Sequence, residues 1–120
     1  MRSKGAFDTH LLDQGLLRRR ELREKRRKER LEEVFHVLKE LSDEVPFREA
    51  YIFGSLAKPF RFFDDSDIDI AFVGLKDEDF FQTMAFLSRK LASDVDVIQL
   101  EEHPLEEKIM REGIRWMRRG

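Results

Sequence analysis

The sequence predicts an α+β domain, close in character to α/β, in which helices flank a short mixed central sheet behind one long N-terminal helix. Three observations support this prediction. A proline-free stretch of mostly strong helix formers runs from Leu11 to Asp43. Three short apolar runs, AYIF, DIDIAFV and DVDVIQL, have the length and composition of strands. A segment with helical apolar spacing separates the second run from the third, and a proline-initiated segment follows the third.

The chain divides into three parts along its length. Residues 1–10 lack any periodicity and are expected to be disordered. Residues 11–45 form the long helix, which is basic at first and amphipathic later. Pro46 ends it, because the residue before a proline disfavours the helical conformation. Residues 46–120 are expected to form the α+β domain itself.

The second half of the long helix has one apolar face. Apolar residues recur there at spacings of three and four, which places them on one side of a helix. They are Leu31, Val34, Phe35, Leu38 and Leu41. This half should pack on the domain. The same stripe could instead serve as the seam of a homodimer, and the sequence leaves both readings open.

The first half of the long helix is strongly basic. Residues 18–30 hold nine Lys or Arg against three Glu, a net charge of +6 in a chain whose total is −2. A helix that is polar on all sides depends on its charge pairs or on a partner. Such a segment is an electrostatic footprint for nucleic acid. It lacks the interleaved aromatic residues that would stack on bases, so direct nucleic-acid binding is the less favoured reading.

Composition excludes several classes of function. The chain has no cysteine, which rules out a disulfide framework, a thiolate metal site and a thiol nucleophile. No apolar run approaches the roughly 20 residues that span a bilayer, and the N-terminus does not resemble a signal peptide. A cytoplasmic protein with no membrane association is therefore expected.

The predicted elements after the long helix alternate between strand and helix. The predicted strands are residues 50–53, 67–73 and 94–100, and the predicted helices are residues 76–91 and a last one beginning at Pro104. We expect the last helix to continue through Gly113, with Ile114 and Trp116 among its apolar contacts.

The second predicted strand bears two aspartates. Asp67 and Asp69 are two residues apart, so their side chains project from the same face of a strand. The residues around them are apolar, and two ionised carboxylates in such a place require a cation. Mg²⁺ is the usual ion for oxygen ligands that share a site with phosphates. The third predicted strand offers Asp94 and Asp96 at the same spacing, and either could complete a cluster of three.

The first predicted strand ends at Gly54-Ser55. A glycine allows a phosphate to approach the backbone closely, and exposed N–H groups with a hydroxyl suit its oxygens. Gly-Ser alone is most often a simple turn, and Asp-x-Asp alone is most often turn and edge residues. The two motifs in succession on neighbouring strands are much more specific.

The segment FGSLAKPFRFFDDSDIDIAFV resembles the signature of the DNA polymerase β-like nucleotidyltransferase superfamily. DVDVIQLEEHPLEEKIMREG resembles the matching tail of its smallest members, the minimal nucleotidyltransferases. The resemblance covers roughly Ala50 to Gly113, about half of the chain, and leaves out the basic helix. It implies a fold like the polymerase β palm.

The resemblance also implies roles for individual residues. The implied nucleotide-binding residues are Gly54, Ser55, Lys58 and Ser66. The implied metal ligands, which are also the catalytic residues, are Asp67, Asp69 and Asp96. Asp96 would polarise the attacking hydroxyl, with Asp94 as the alternative. The implied cofactor is Mg²⁺, as two ions, with ATP as the substrate.

Minimal nucleotidyltransferases pair with HEPN-domain proteins in toxin–antitoxin modules. The resemblance therefore implies transfer of a nucleoside monophosphate, AMP from ATP, onto a hydroxyl of a partner protein. The acceptor would be a tyrosine of a HEPN ribonuclease toxin, and the chain would be the antitoxin. The alternative is a catalytically weak module with the same fold, which neutralises or scaffolds its partner by contact alone.

The loop after Gly-Ser departs from the family pattern. Residues 56–59 carry Lys58 where an Arg is common, and they lack a following glycine. A lysine answers phosphate charge as a point donor without the planar fork of arginine. The loop also contains Phe60, Phe62 and Phe63, which could stack on a base or dock a partner. The plainer expectation is that they fold back onto the core.

Overall fold

The computed structural model describes the backbone of residues 3–118 and the side chains of residues 14–118. The described residues form three α-helices and four strands, besides two short 3-10 helices at Gly54–Ala57 and Asp77–Asp79. The α-helices and strands are α1 (Ser3–Glu44), β1 (Glu49–Phe53), β2 (Ile68–Val73), α2 (Phe80–Leu91), β3 (Val95–Gln99), α3 (Glu106–Glu112) and β4 (Ile114–Met117). The α+β class, the short mixed sheet and the long N-terminal helix are as predicted.

The four strands form one mixed sheet in the order β3-β2-β1-β4. β1 pairs antiparallel with both β2 and β4, whereas β2 and β3 are parallel. A parallel pair needs a crossover connection, and α2 provides it. Because β1 ends where β2 and β3 begin, these three strands bring their chemistry-bearing ends to the same edge of the sheet.

The prediction of a last helix that continues through Gly113 is wrong for its second half. α3 ends at Glu112, and the residues that follow Gly113 form β4 at the edge of the sheet. Ile114 lies opposite Ile52 of β1, and Trp116 lies opposite Ala50. The helix ends because Gly113 takes an extended conformation and the residues after it pair with β1. Only a glycine fits at this position, since a Cβ would come within 2.6 Å of the Ile109 carbonyl oxygen.

The long helix α1 extends further toward the N-terminus than the predicted start at Leu11, since its first residue is Ser3. Residues 1 and 2 of the segment predicted to be disordered lie outside the described residues. No helix in the described part of the chain combines the length and the apolarity that crossing a bilayer requires.

The apolar stripe of α1 belongs to the core of its own domain. Val34, Leu38 and Leu41 are completely buried, and they pack with α2 against one face of the sheet. The opposite face carries a smaller cluster beneath α3, formed by Tyr51, Ala71, Leu100 and Ile109. Between the two readings left open by the sequence, the structure assigns this stripe to the core.

We expect Leu38→Ala to lower the free energy of unfolding by about 2–5 kcal/mol, because the side chain is fully buried and a cavity would remain. Urea unfolding followed by circular dichroism measures this change. The oligomeric state, measured by sedimentation, should not change. A dimer that dissociates while the fold stays as stable as before would show that the stripe is a subunit seam instead.

Candidate functional site

The predicted acidic residues meet at the edge where β1 ends and β2 and β3 begin. Asp69 of β2 is the register partner of Phe53 on one side and of Asp96 on the other. Residues directly opposite each other in a sheet project from the same face. Asp67 lies two residues before Asp69, just ahead of β2. Three of the four candidate aspartates are therefore brought together.

Asp69 is the central carboxylate of this group. Its pKa is raised from 3.8 to about 6, mainly because the side chain is partly buried. The charge of Asp96, a hydrogen bond with that residue and the charge of Asp67 raise the pKa further. A cation would relieve both the burial cost and the repulsion.

A metal ion would have to organise these ligands when it binds. Within the described residues, no three His, Cys, Asp or Glu side chains already stand in a geometry that could hold a metal. Asp67 and Asp96 are exposed, so both can rotate toward Asp69. The donor set, carboxylate oxygens alone, is the kind that suits Mg²⁺.

Gly54 is the point at which the backbone approaches these carboxylates. It has a φ of +72°, in the left-handed region, and begins a 3-10 turn that spans Gly54–Ala57. A Cβ at this position would overlap Asp69 Oδ2. Only a glycine fits, and the turn that contains Ser55 is thereby held beside the acidic group.

The structure distinguishes Asp96 from its rival Asp94. Asp96 is the register partner of Asp69, whereas Asp94 precedes β3 and its backbone carbonyl accepts a hydrogen bond from the N–H of Ile68. Asp94 and Asp67 both line an open depression of about 580 Å³ between the start of β2 and the end of α2. By position, Asp96 is closer to the group than Asp94, and its role as the third ligand stays a prediction.

Lys58 and Ser66, the other predicted nucleotide-binding residues, lie in the loop between β1 and β2. Lys58 is half exposed, and its Nζ is 3.9 Å from Glu112 of α3. The Ser66 hydroxyl accepts a hydrogen bond from the Phe63 N–H at 3.0 Å, which helps to close a tight turn before Asp67. Contact of either side chain with a nucleotide stays a prediction.

The three phenylalanines of the β1–β2 loop, residues 54–67, have different environments. Phe62 is buried in the main core, so the plainer expectation holds for it. Phe60 and Phe63 are 40% and 48% exposed. Arg20 lies 4.1 Å from the ring centre of Phe60, and Arg23 lies 4.6 Å from that of Phe63. The basic half of α1 therefore covers this loop.

Two residues of α1 hold the loop directly, and the sequence motifs did not reveal them. Arg27 is buried and donates a hydrogen bond from Nη1 to the Leu56 carbonyl at 3.0 Å. Glu24 accepts the Phe60 N–H at 2.8 Å. One sequence signal could have indicated Arg27, because it precedes Leu31 by four residues and so extends the buried stripe by one turn.

The ion pair between Glu24 and Arg27 should make stability depend on pH in acid. The pKa of Glu24 is lowered from 4.5 to about 2, mainly because Arg27 donates hydrogen bonds to it; burial opposes this shift, and the Phe60 N–H adds to it. A depressed carboxyl pKa gives stability that is fully present above about pH 4.5 and is lost as the pH falls through about 2.

We therefore expect the difference in unfolding free energy between the wild type and Glu24→Gln to shrink as the pH is lowered from 5 toward about 2. Urea unfolding at a series of pH values measures it. Glu33→Gln is a matched control, because that carboxylate is 57% exposed and its ion pair with Arg30 is long, 3.4 Å. A difference for Glu24→Gln that stays constant with pH would contradict the prediction.

Comparison with known proteins identifies the family to which this geometry belongs. Residues 32–119 match the family described as Polymerase beta, Nucleotidyltransferase. The match spans well over half of the chain, and the protein therefore belongs to this nucleotidyltransferase family. The predicted superfamily is confirmed. No curated protein sequence gives a significant match.

Solved structures with the same fold include members of a toxin–antitoxin complex. A Tyr-to-Ala variant of MntA–HpeT is 26% identical, with a TM-score of 0.55, over 70% of this chain and 72% of that one. A toxin–antitoxin structure with AMP-PNP is 24% identical, with a TM-score of 0.57, over 73% of each chain. A protein from Sulfolobus solfataricus described as a nucleotidyltransferase is 30% identical, with a TM-score of 0.50, over 77% of this chain and 84% of that one.

Proposed function

We propose that the protein is a Mg²⁺-dependent nucleotidyltransferase that moves AMP from ATP onto a hydroxyl of a partner protein and releases pyrophosphate. The partner is a HEPN ribonuclease toxin, and this chain is its antitoxin. The observation that carries the proposal is the packing of Asp69 against Gly54, with Asp96 and Asp67 beside it. Carboxylates and a phosphate-binding backbone turn at one point are what nucleotidyl transfer needs.

The residues of the site divide the work by position. Asp67, Asp69 and Asp96 hold Mg²⁺, which when bound neutralises charge on the triphosphate and lowers the pKa of the attacking hydroxyl. Backbone N–H groups of Gly54 and Ser55 orient the phosphates. Asp96 lies at the exposed side of the group, where it can accept the proton of the acceptor hydroxyl. Lys58 and Ser66 are the candidates for further phosphate contacts.

The similar structures support this choice of nucleotide and of site. One of them is a toxin–antitoxin structure with AMP-PNP, an ATP analogue. Another is an MntA–HpeT variant in which two aspartates are replaced by glutamate, two positions apart. Asp67 and Asp69 have the same spacing in this chain. We propose that ATP and an aspartate pair have the same roles in this chain.

The exposed first half of α1 suits a protein partner. Leu16, Leu17 and Leu22 are 55–58% exposed and lie on either side of a run of three arginines, Arg18–Arg20. A surface with both large apolar and basic side chains is typical of protein interfaces. Nucleic acid is the less favoured ligand of this segment, because Arg20 and Arg23 already lie over loop phenylalanines. Binding of RNA that weakens steeply with salt would favour nucleic acid instead.

The alternative function is a binding module that neutralises its partner by contact without transferring a nucleotide. The departures from the family pattern at residues 56–59 favour it. The double variant Asp67→Ala, Asp69→Ala separates the two functions. Unimpaired neutralisation of the toxin by this variant supports the binding module.

The direct experiment is incubation of the protein with labelled ATP and Mg²⁺, with and without a candidate HEPN-domain partner, which is sought first in the neighbouring reading frames. Label on the partner, dependent on Mg²⁺ and lost on replacement of its acceptor tyrosine, supports the proposal. Label that appears only on nucleic acid or on this chain itself contradicts the proposed acceptor. Fractionation of cells should recover the protein from the cytoplasm.

A further inference from the structure

We infer that Arg27 and Glu24 of α1 are positioning residues for the nucleotide. They hold in a fixed shape the turn that would contact the triphosphate. This inference rests on the proposed function and assigns it two further residues. Both lie before residue 32, where the match to the family begins. Neither is one of the carboxylates that bind the metal.

The first contact is at the turn itself. Arg27 is only 7% exposed, and its Nη1 donates to the carbonyl of Leu56, inside the Gly54–Ala57 turn. Its Nε and Nη2 donate to the two carboxylate oxygens of Glu24, at 2.9 and 2.6 Å. A buried guanidinium is stable only when it is well paired. The guanidinium plane of Arg27 is fixed by its two hydrogen bonds to Glu24. This fixes the direction in which Nη1 points toward the turn.

The second contact is four residues further along the loop. Glu24 Oε1 accepts the backbone N–H of Phe60, whose φ is +62°. A bulky residue in the left-handed region is strained and persists only when its surroundings impose that conformation. The hydrogen bond to Glu24, with Arg20 against the ring, supplies this constraint. One ion pair thus holds the loop at both Leu56 and Phe60.

The consequence for nucleotide binding follows from entropy. The β1–β2 loop leaves the sheet beside Asp69, and its first N–H groups are the proposed phosphate donors. A loop already held in its binding shape loses less conformational freedom when the ligand arrives. The ion pair between Glu24 and Arg27 acts on the loop before the reaction. Its loss should therefore weaken nucleotide binding more than it slows the chemical step.

The test compares Arg27→Met with Arg30→Met in the full-length chain. Arg30 lies on the same helix and also donates to a carbonyl, that of Leu91 at 2.6 Å, which belongs to α2 and not to the loop. We expect Arg27→Met to raise KM for MgATP about tenfold and to change kcat less than about threefold. Arg30→Met should leave this KM within about twofold of the wild type, although it also loses stability.

A second measurement does not depend on activity. Amide hydrogen exchange of residues 55–60 should become about tenfold faster in Arg27→Met, while exchange within β1 and β2 stays as in the wild type. If Arg27→Met does not fold, Arg27→Lys takes its place. Lysine keeps the charge but cannot bridge Glu24 and Leu56 together, so it should give an intermediate rise in KM.

Three results would overturn the inference. They are an unchanged KM in the Arg27 variant, a raised KM with unchanged exchange of the loop, and an equal rise of KM in Arg30→Met. Failure of the proposed function looks different, because the wild type itself would then show neither transfer nor saturable binding of MgATP. The effect of losing the ion pair between Glu24 and Arg27 is visible only when a variant is compared with an active wild type.

Discussion

Asp69→Asn is expected to lower the rate of nucleotidyl transfer about 10³-fold, the largest effect that we predict. Charge stabilisation by a bound metal contributes several kcal/mol to a transition state, and about 4 kcal/mol corresponds to this factor. Asp69 is the central member of the acidic group, in contact with Asp96 and against Gly54. Initial rates with labelled ATP and the partner protein measure the change.

The fold of this variant should be intact or more stable in the absence of metal. The pKa of Asp69 is raised to about 6, so at neutral pH its carboxylate is ionised in both states, and the charge costs more free energy in the folded protein than in the unfolded chain. Replacing the carboxylate with an amide removes that cost. Thermal unfolding without metal should therefore show a Tm at or above that of the wild type, which separates loss of chemistry from loss of structure.

Asp94→Asn is the matched control for this prediction. It changes an exposed aspartate of the same region that is not in register with Asp69. Its transfer rate should stay within about threefold of the wild type, whereas Asp96→Asn should resemble Asp69→Asn. Equal losses in Asp94→Asn and Asp96→Asn would mean that sheet register does not define the ligands.

Gly54→Ala is expected to have the second-largest effect, on both stability and activity. A Cβ at a φ of +72° costs about 1–2 kcal/mol, and here it would also overlap the Asp69 carboxylate. We expect the free energy of unfolding to fall by about 2 kcal/mol or more. The transfer rate should fall about 100-fold at a temperature where the variant is still folded. The added methyl group displaces either the Gly54–Ala57 turn or the Asp69 carboxylate from its position.

Gly74→Ala separates backbone strain from damage to the site. Gly74 has a φ of +81° and follows the far end of β2, where a Cβ would meet Arg48 at 3.3 Å. This variant should lose stability through the same left-handed strain, while its transfer rate, corrected for the folded fraction, stays within about threefold of the wild type. If both glycine variants lost activity equally, general destabilisation would explain the loss.

Much of the site could be predicted because strand geometry is periodic. A repeat of two residues put Asp67 and Asp69 on one face from the sequence alone. The choice between Asp94 and Asp96 needed the pairing of β2 with β3, which depends on contacts between residues distant in sequence. The register of a parallel pair is not encoded in either strand separately, and only the structure showed that Asp96 lies beside Asp69.

The parts that the sequence did not predict depend on tertiary contacts. β4 is four residues long and owes its conformation to its pairing with β1, so local composition suggested a continuing helix. In sequence the basic half of α1 is polar on all sides, and nothing near it in the chain reveals that the β1–β2 loop lies against it. Arg27 in particular is charged yet buried, an arrangement that only its contacts with Glu24 and Leu56 explain.

The shared space between Gly54 and Asp69 has a consequence for the evolution of such domains. As long as position 69 carries its carboxylate, position 54 cannot accept a side chain, because the two would occupy the same volume. A descendant that lost the acidic residue would be released from this overlap, and only the left-handed backbone at position 54 would still favour glycine. The two positions should therefore change together. A domain in which both have changed is expected to have lost catalysis and to act by binding alone.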